Sequence, residues 1–318
     1  PITHHASRLT FDFYPMTQTK MHADEVHTDS ALVRTLLAAQ FPQWAQLPIA
    51  AVPSSGTDNA LFRLGDDMVV RLPHIHWAVE QVAKEQRWLP VLAPHLPLAI
   101  PEPLALGEPA LGYPWQWSVY RWLDGDTVAP GRLDDMQQLA TELANFIAAL
   151  QRIDATDGPP PGAHNSNRGE PLTVRDAGTR QAIAALEGII DRVAVTAAWE
   201  DGLNAPTWDG APVWVHGDLA ATNLLVRDGR LCAVIDFGCL GIGDPAVDLM
   251  VAWEFLAPVR ETFRAALAVD DATWVRGRGW ALTTALVALP YYMDTNPILV
   301  ASARRRIEAV LTDYAVTK

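Results

Sequence analysis

The stretch that decides the reading of this chain is His216-Gly217-Asp218-Leu219-Ala220-Ala221-Thr222-Asn223, followed further on by Asp236-Phe237-Gly238. Asn223 stands five residues after Asp218, and Asp236 eighteen after it. Between them Leu224–Val226 and Leu231–Ile235 are apolar and β-rich, and they flank Asp228-Gly229, a type I′ hairpin signal. With those two residues as the loop, Arg227 faces Arg230, and counting outward Asn223 faces Val234. Side chains alternate along a strand, so Asn223, Val234 and Asp236 are expected on one face. The hairpin would then bring Asn223 and Asp236 to the same end and the same side, where one metal ion could touch both.

That grouping suits one chemistry. Phosphoryl transfer needs a carboxylate that accepts a hydroxyl proton and orients the nucleophile, and oxygen ligands for Mg²⁺ near the γ-phosphate. Asp, Asn and Asp at this spacing can fill those roles.

Outward from this stretch the chain changes texture. A capped helix is predicted over 28–40, with Thr28-Asp29-Ser30 at its start. Short β-rich runs follow at Ile49–Val52, Leu61–Leu64 and Met68–Leu72, with a turn signal at Gly65-Asp66. Trp77 to Leu89 reads as a helix stopped by Pro90, and strands are expected near Leu104–Leu106 and Trp117–Leu123. Beyond Leu133 the period is mostly helical: Met136–Ile153, Thr179–Leu203, Ala246–Phe255, Glu261–Leu267, Arg276–Leu289 and Ile298–Leu311. Residues 154–178 carry Gly, Pro, Asn and Ser and read as a surface loop. The fold class is therefore α+β: a small antiparallel sheet, then a larger helical part, with the boundary near Leu123–Asp126.

Composition narrows the partners. The chain has 318 residues with 24 Lys+Arg against 37 Asp+Glu, a net charge of −13, which disfavours nucleic acid and mildly favours a cationic small molecule. Cys232 and Cys239 cannot make a disulfide framework, and they read as reduced residues of a cytoplasmic protein. The most apolar run, Trp280 to Tyr292, is short and carries Pro290, so a core helix is expected and no membrane span. Residues 1–20 lack the pattern of a signal peptide and read as a leader or appended segment. Nothing in the sequence bears on the oligomeric state.

The His-Gly-Asp…Asn and Asp-Phe-Gly elements resemble the aminoglycoside phosphotransferase family, over about Val52 to Leu256. The resemblance implies a protein-kinase-like, two-lobed fold: a small antiparallel β-sheet N-lobe with one helix over residues 21–122, and a larger, mainly α-helical C-lobe over 123–318. It implies Asp218 as catalytic base, Asn223 and Asp236 as Mg²⁺ ligands, and His216 as the residue that orders the catalytic loop. Gly243-Asp244-Pro245 and Asp248 match the family's stretch after the metal carboxylate.

On the nucleotide side the family carries a strand lysine that grips phosphates and pairs with a helix glutamate. Here that position holds Arg71, which keeps the charge and adds a bidentate fork; the alternative is an exposed strand arginine. Glu80 and Glu85 compete as its partner. Glu85 lies nearer the apolar stripe of Val79, Val82, Ala83 and Leu89, and it fits the family's spacing. Ser54, Ser55, Gly56 and Thr57 stand where the family has its phosphate-covering loop, but with one glycine the segment could equally be a polar turn. By resemblance the hinge backbone of Tyr120, Arg121 and Trp122 would hold the purine of ATP or GTP. Glu254, Trp253, Asp124, Asp126 and Asp294 are unranked candidates for the acceptor cleft. The implied activity is transfer of the γ-phosphoryl group of Mg-ATP or Mg-GTP to a hydroxyl of an antibiotic-like small molecule. A choline- or homoserine-type metabolite, or a catalytically silent nucleotide binder, is the alternative.

Overall fold

The computed structural model describes residues 25–53, 58–128 and 135–317. Strands β1 (Ile49–Ala51), β2 (Asn59–Leu64), β3 (Met68–Pro73), β4 (Pro103–Gly107) and β5 (Trp117–Arg121) form one antiparallel sheet in the order β1-β2-β3-β5-β4. Alternation along β2 and β3 sends Phe62, Leu64, Met68, Val70 and Leu72 into one core. Helix α1 (Ser30–Gln40) closes that core with Val33, Leu36 and Leu37. It begins where the Asp29 carboxylate accepts the Leu32 N–H at 2.7 Å. Helix α2 (Val79–Leu92) crosses from β3 to β4 and sends Trp88, Leu89 and Leu92 into the second, larger core. The sheet thus has two α-helices beside it rather than one.

The second part is built on α3 (Met136–Gln151), α4 (Asp176–Ala185), α5 (Arg192–Asn204), α6 (Arg260–Leu267), α7 (Asp271–Tyr292) and α8 (Pro297–Val316). Side-chain caps start α3, α5, α7 and α8, from Asp135, Asp191, Asp270 and Asn296. Helix α7 is buried over much of its circumference, as the central helix of the bundle must be. No helix among the described residues is long and apolar enough to cross a membrane. Short strands insert between these helices. Strand β7 (Val213–Val215) pairs with β10 (Gly241–Gly243), and β6 (Asp126–Thr127), β8 (Leu224–Arg227) and β9 (Arg230–Val234) form a three-stranded sheet.

Four sequence expectations are corrected. The β8–β9 hairpin turns at Asp228-Gly229, but Val234 pairs with Leu224 and not with Asn223. Cys232 is the extra residue of a β-bulge, and its carbonyl accepts the Ala99 N–H at 3.2 Å. A segment distant in sequence therefore docks on β9 and takes up the bulged group. Helix α2 runs two residues past Pro90, which faces solvent. The helix expected over Thr179–Leu203 is two helices, because Gly188 turns left-handed at φ +78° and Asp191 caps a new start. The segment expected as a helix over 246–255 is a wholly buried 3-10 run, Pro245–Trp253.

Gly107 pairs in register with Trp117, whose indole is fully buried. A Cβ built on Gly107 would fall within that ring. Gly107→Ala is expected to cost about 3 kcal/mol in urea unfolding, the upper range for overpacking a core. An unchanged midpoint would mean that the indole can move aside.

Candidate active site

Strand β7 delivers the chain to His216, and the loop beyond it is held from below by one carboxylate. Asp248, fully buried in the 3-10 run, accepts the His216 N–H at 2.9 Å on Oδ2 and the Gly217 N–H at 2.7 Å on Oδ1. Gly217 sits at φ +81°, and a Cβ there would lie 2.6 Å from the Cys239 carbonyl oxygen. Only glycine fits this turn. The buried His216 ring accepts the Asp218 N–H at 3.2 Å on Nδ1. That assigns the proton to Nε2, which donates to the Ile235 carbonyl at 3.1 Å. His216 is thus a neutral brace between the loop and the end of β9.

Asn223 ends a 3-10 turn, Ala221–Asn223, instead of lying in the strand. Its carbonyl accepts the Ile235 N–H at 2.9 Å, and its Nδ2 donates to the Asp218 carbonyl at 2.9 Å. With Nδ2 so engaged, Oδ1 is the atom offered to a cation. Asp236 follows β9 in a left-handed conformation, φ +64°, which is costly outside glycine and is common where side chains are aimed for function. Burial raises the Asp218 pKa, Arg168 opposes the rise, and the Asp236 charge adds to it. Arg168 stands with Nη2 at 3.7 Å from Asp218 Oδ1.

Arg71 on β3 connects the two parts of the chain. Its Nη1 donates to both Glu85 oxygens at 2.6 and 2.7 Å, and its Nη2 donates to Asp236 Oδ1 at 2.8 Å. Burial alone would lower the Arg71 pKa, but the Glu85 and Asp236 carboxylates outweigh it. Glu85 is 2% exposed and also accepts the Tyr120 hydroxyl, whereas Glu80 is on the exposed side of α2. With its amide oxygen turned to the sheet, Asn59 accepts from Arg71 Nη2 at 2.9 Å.

A cleft of about 550 Å³ opens at this junction, a size suited to a small ligand. Arg71, Asn59, Asn223 and Asp236 supply its polar wall, and Val69, Leu225 and Ile235 are among its apolar lining. Tyr120, Arg121 and Trp122, the residues expected at the hinge, line it too. The Arg121 N–H donates to the Glu102 carbonyl and the Trp122 N–H to the Asp67 carbonyl, so both amides already serve the chain itself. Ser54, Ser55 and Gly56 fall outside the described residues. Among those residues no cluster of three or more His, Cys, Asp or Glu gathers as a metal site. Asn223 and Asp236 are instead a two-residue oxygen set, of the kind that suits Mg²⁺ shared with phosphates.

Of the acceptor candidates, Asp126 lines this cleft, Glu254 is paired with Arg306 at 3.1 Å, and Trp253 is buried with its indole N–H donating to Asp313. Burial, with Asp218 nearby, pushes Cys239 up to about 12, so its thiol stays protonated. Sequence reading missed Asn59, Lys84 and Arg168. The last lies in 154–178, which is no plain surface loop: Asn165 is buried there and its side chain ties Gly162 to Arg168.

A family model described as "Phosphotransferase enzyme family" matches residues 50–280. No curated protein matches the chain. The GDP complex of wild-type aminoglycoside 2'-phosphotransferase-IIIa shares 19% identity, with 90% of this chain and 100% of that chain covered at a TM-score of 0.69. The GDP and kanamycin complex of APH(2")-IIia shares 20% over 90% of this chain and 99% of the other, also at 0.69. The macrolide 2'-phosphotransferase MphH from Brachybacterium faecium shares 25% over 88% and 96%, at 0.56. The first two likenesses are likenesses of fold.

Lys84 reports on this junction. Its Nζ donates to the Gly238 carbonyl at 2.8 Å and contacts His164, and burial pulls its pKa down to about 8 from the usual 10.5. Between those values the unfolded chain holds the proton and the folded chain has released it, so this group adds stability as pH rises through the window. Lys84→Met should remove a gain of roughly 2 kcal/mol between pH 8 and 10, at about 1.4 kcal/mol per pKa unit. Urea unfolding of parent and variant at both pH values checks it, and parallel pH profiles would show that Lys84 is not depressed.

Proposed function

The chain belongs to the phosphotransferase enzyme family, and from that premise we propose that it moves the γ-phosphoryl group of Mg-ATP or Mg-GTP onto a hydroxyl of a small molecule, with Asp218 as base. The observation that carries this reading is a convergence. Arg71, Asn223 and Asp236 line one cleft, and the Asn223 side chain that lines it donates to the Asp218 backbone carbonyl.

In this reading residues 21–122 hold the nucleotide, and 123–318 hold the acceptor and the reacting groups. Asp218 accepts the hydroxyl proton as the acceptor oxygen attacks the γ-phosphorus. The bond from that phosphorus to the β-phosphate oxygen breaks in line, and the nucleoside diphosphate leaves. Arg71 holds phosphate oxygens, and Glu85 and Tyr120 keep its fork aimed. His216 and Asp248 fix the loop that carries Asp218. Asn223 Oδ1 and the Asp236 carboxylate are the atoms that would hold Mg²⁺, which when bound neutralises phosphate charge. Relatives named for aminoglycosides and macrolides put antibiotic-like acceptors first on the panel, with choline- and homoserine-type metabolites beside them. The complete set of Asp218, Asn223 and Asp236 argues against a silent nucleotide binder. Donor nucleotide and two free thiols fit a cytoplasmic setting.

Asp218→Asn should lower kcat by at least about 100-fold, the usual worth of a positioned base, and leave nucleotide KM near parent. Parallel loss of nucleotide binding would make Asp218 a structural residue. Asp236→Ala should abolish the Mg²⁺ dependence of nucleotide binding, measured by titration with and without the metal.

Arg71→Ala should raise nucleotide KM by about tenfold or more and leave acceptor KM unchanged, whereas Arg71→Lys keeps the charge but loses the fork. Unchanged nucleotide kinetics in both would remove Arg71 from the phosphate site.

A further inference from the structure

The net charge of −13 and the aminoglycoside relatives both suggest a cationic acceptor, yet the charged neighbour of Asp218 is an arginine. Arg168 approaches Asp218 at 3.7 Å, with its side chain 12% exposed. Among the described residues, its Nε and Nη1 are buried and have no hydrogen-bond partner. A guanidinium carries five N–H donors, and burying them unpaired is unfavourable. Arg175 is its neighbour. The two guanidinium groups lie 5.6 and 5.9 Å from the ring of the same buried tryptophan, Trp280. Arg175 donates to the Ser166 carbonyl at 3.3 Å and has no acidic partner within ion-pair distance among the described residues. Burial and the charge of Arg168 pull its pKa down to about 10, which still leaves it a cation at neutral pH.

The nearby acidic groups do not cancel this pair. Glu254 is taken by Arg306 at 3.1 Å and by the Ser302 hydroxyl at 3.2 Å. Asp236 faces Arg71. Asp248 is buried under the loop amides. Arg168 therefore has Asp218 as its one acidic partner within ion-pair distance among the described residues, and Arg175, close enough to Arg168 for the two charges to repel, has none. Neither lines the nucleotide cleft, where Arg71 already supplies the cation for phosphate.

We propose that Arg168 and Arg175, over Trp280, form an anion subsite for the acceptor, so that the acceptor carries a carboxylate or phosphate group near its reactive hydroxyl. This rests on the kinase reading above and narrows its acceptor from antibiotic polycations to hydroxyl-bearing anions. The γ-phosphate of the nucleotide is the other source of the same charge, and the test separates the two.

The full chain is assayed with Mg-ATP and Mg-GTP against hydroxy acids such as glycerate and malate, molecules without net charge such as glycerol and homoserine, and hydroxyl-bearing cations such as choline and kanamycin. The expected result is a kcat/KM for at least one carboxylate acceptor about tenfold or more above every cation. Arg168→Gln and Arg175→Gln should each raise KM for that acceptor about tenfold, with nucleotide KM within about twofold of parent. As a readout independent of the acceptor, sodium sulfate should raise the melting temperature above sodium chloride at equal ionic strength in the parent, and less so in Arg175→Gln. Preference for choline or kanamycin, use of no anionic acceptor, or unchanged acceptor KM in both variants overturns the subsite. A rise in nucleotide KM instead assigns the arginines to the γ-phosphate and also overturns it. Failure of the kinase reading itself looks different: no Asp218-dependent transfer to any acceptor or to water from either nucleotide.

Discussion

The guanidinium of Arg71 is the constraint on which the cleft depends. It is a buried cation that meets Glu85 through one nitrogen and Asp236 through the other. One planar group thus ties strand β3, helix α2 and the segment after β9 into a fixed arrangement. Glu85 is buried, so it needs this partner: removing one member of a buried pair commonly costs about 3–5 kcal/mol, because the other charge is stranded. The fork also gives a physical account of why an arginine suits this position better than a lysine would. A single ammonium is a point charge without a planar fork, and it matches two separated carboxylates less well.

The loop from His216 to Asn223 depends on a second buried carboxylate. Asp248 satisfies two consecutive backbone N–H groups, and this holds a turn that only glycine at 217 permits. His216 then spans from the loop to the Ile235 carbonyl, one residue before Asp236. Asp218 and Asp236 are therefore positioned by one connected set of hydrogen bonds. The left-handed backbone at Asp236 is strain that this set can hold.

A shared fold does not settle the chemistry of the acceptor. The global charge is acidic, but Arg168 stands next to Asp218, Arg175 lies near the same Trp280 ring as Arg168, and Arg306, whose charge also reaches Asp218, is matched by Glu254. Local pairing decides what a pocket attracts, because charges farther away than about a Debye length, roughly 8–10 Å, are screened.

Much of this protein was legible in its sequence wherever the deciding physics is local. Asp29 capping a helix, alternation in β2 and β3, and Asp228-Gly229 turning a hairpin all act within a few residues. The choice of Glu85 over Glu80 followed from helical periodicity together with the family's spacing. What only the tertiary structure decided depends on partners distant in the chain. Ala99 takes the carbonyl of the bulge at Cys232 and so shifts the register that counting from the turn would give. Glu102 and Asp67 engage the hinge amides of Arg121 and Trp122. Arg168 comes to Asp218 from a segment whose composition reads as a loop, positioned by the buried Asn165. Such contacts leave no period or spacing in the sequence. A hydrogen bond between residues far apart in the chain is set by how the layers pack, and no short window of sequence contains both of its ends.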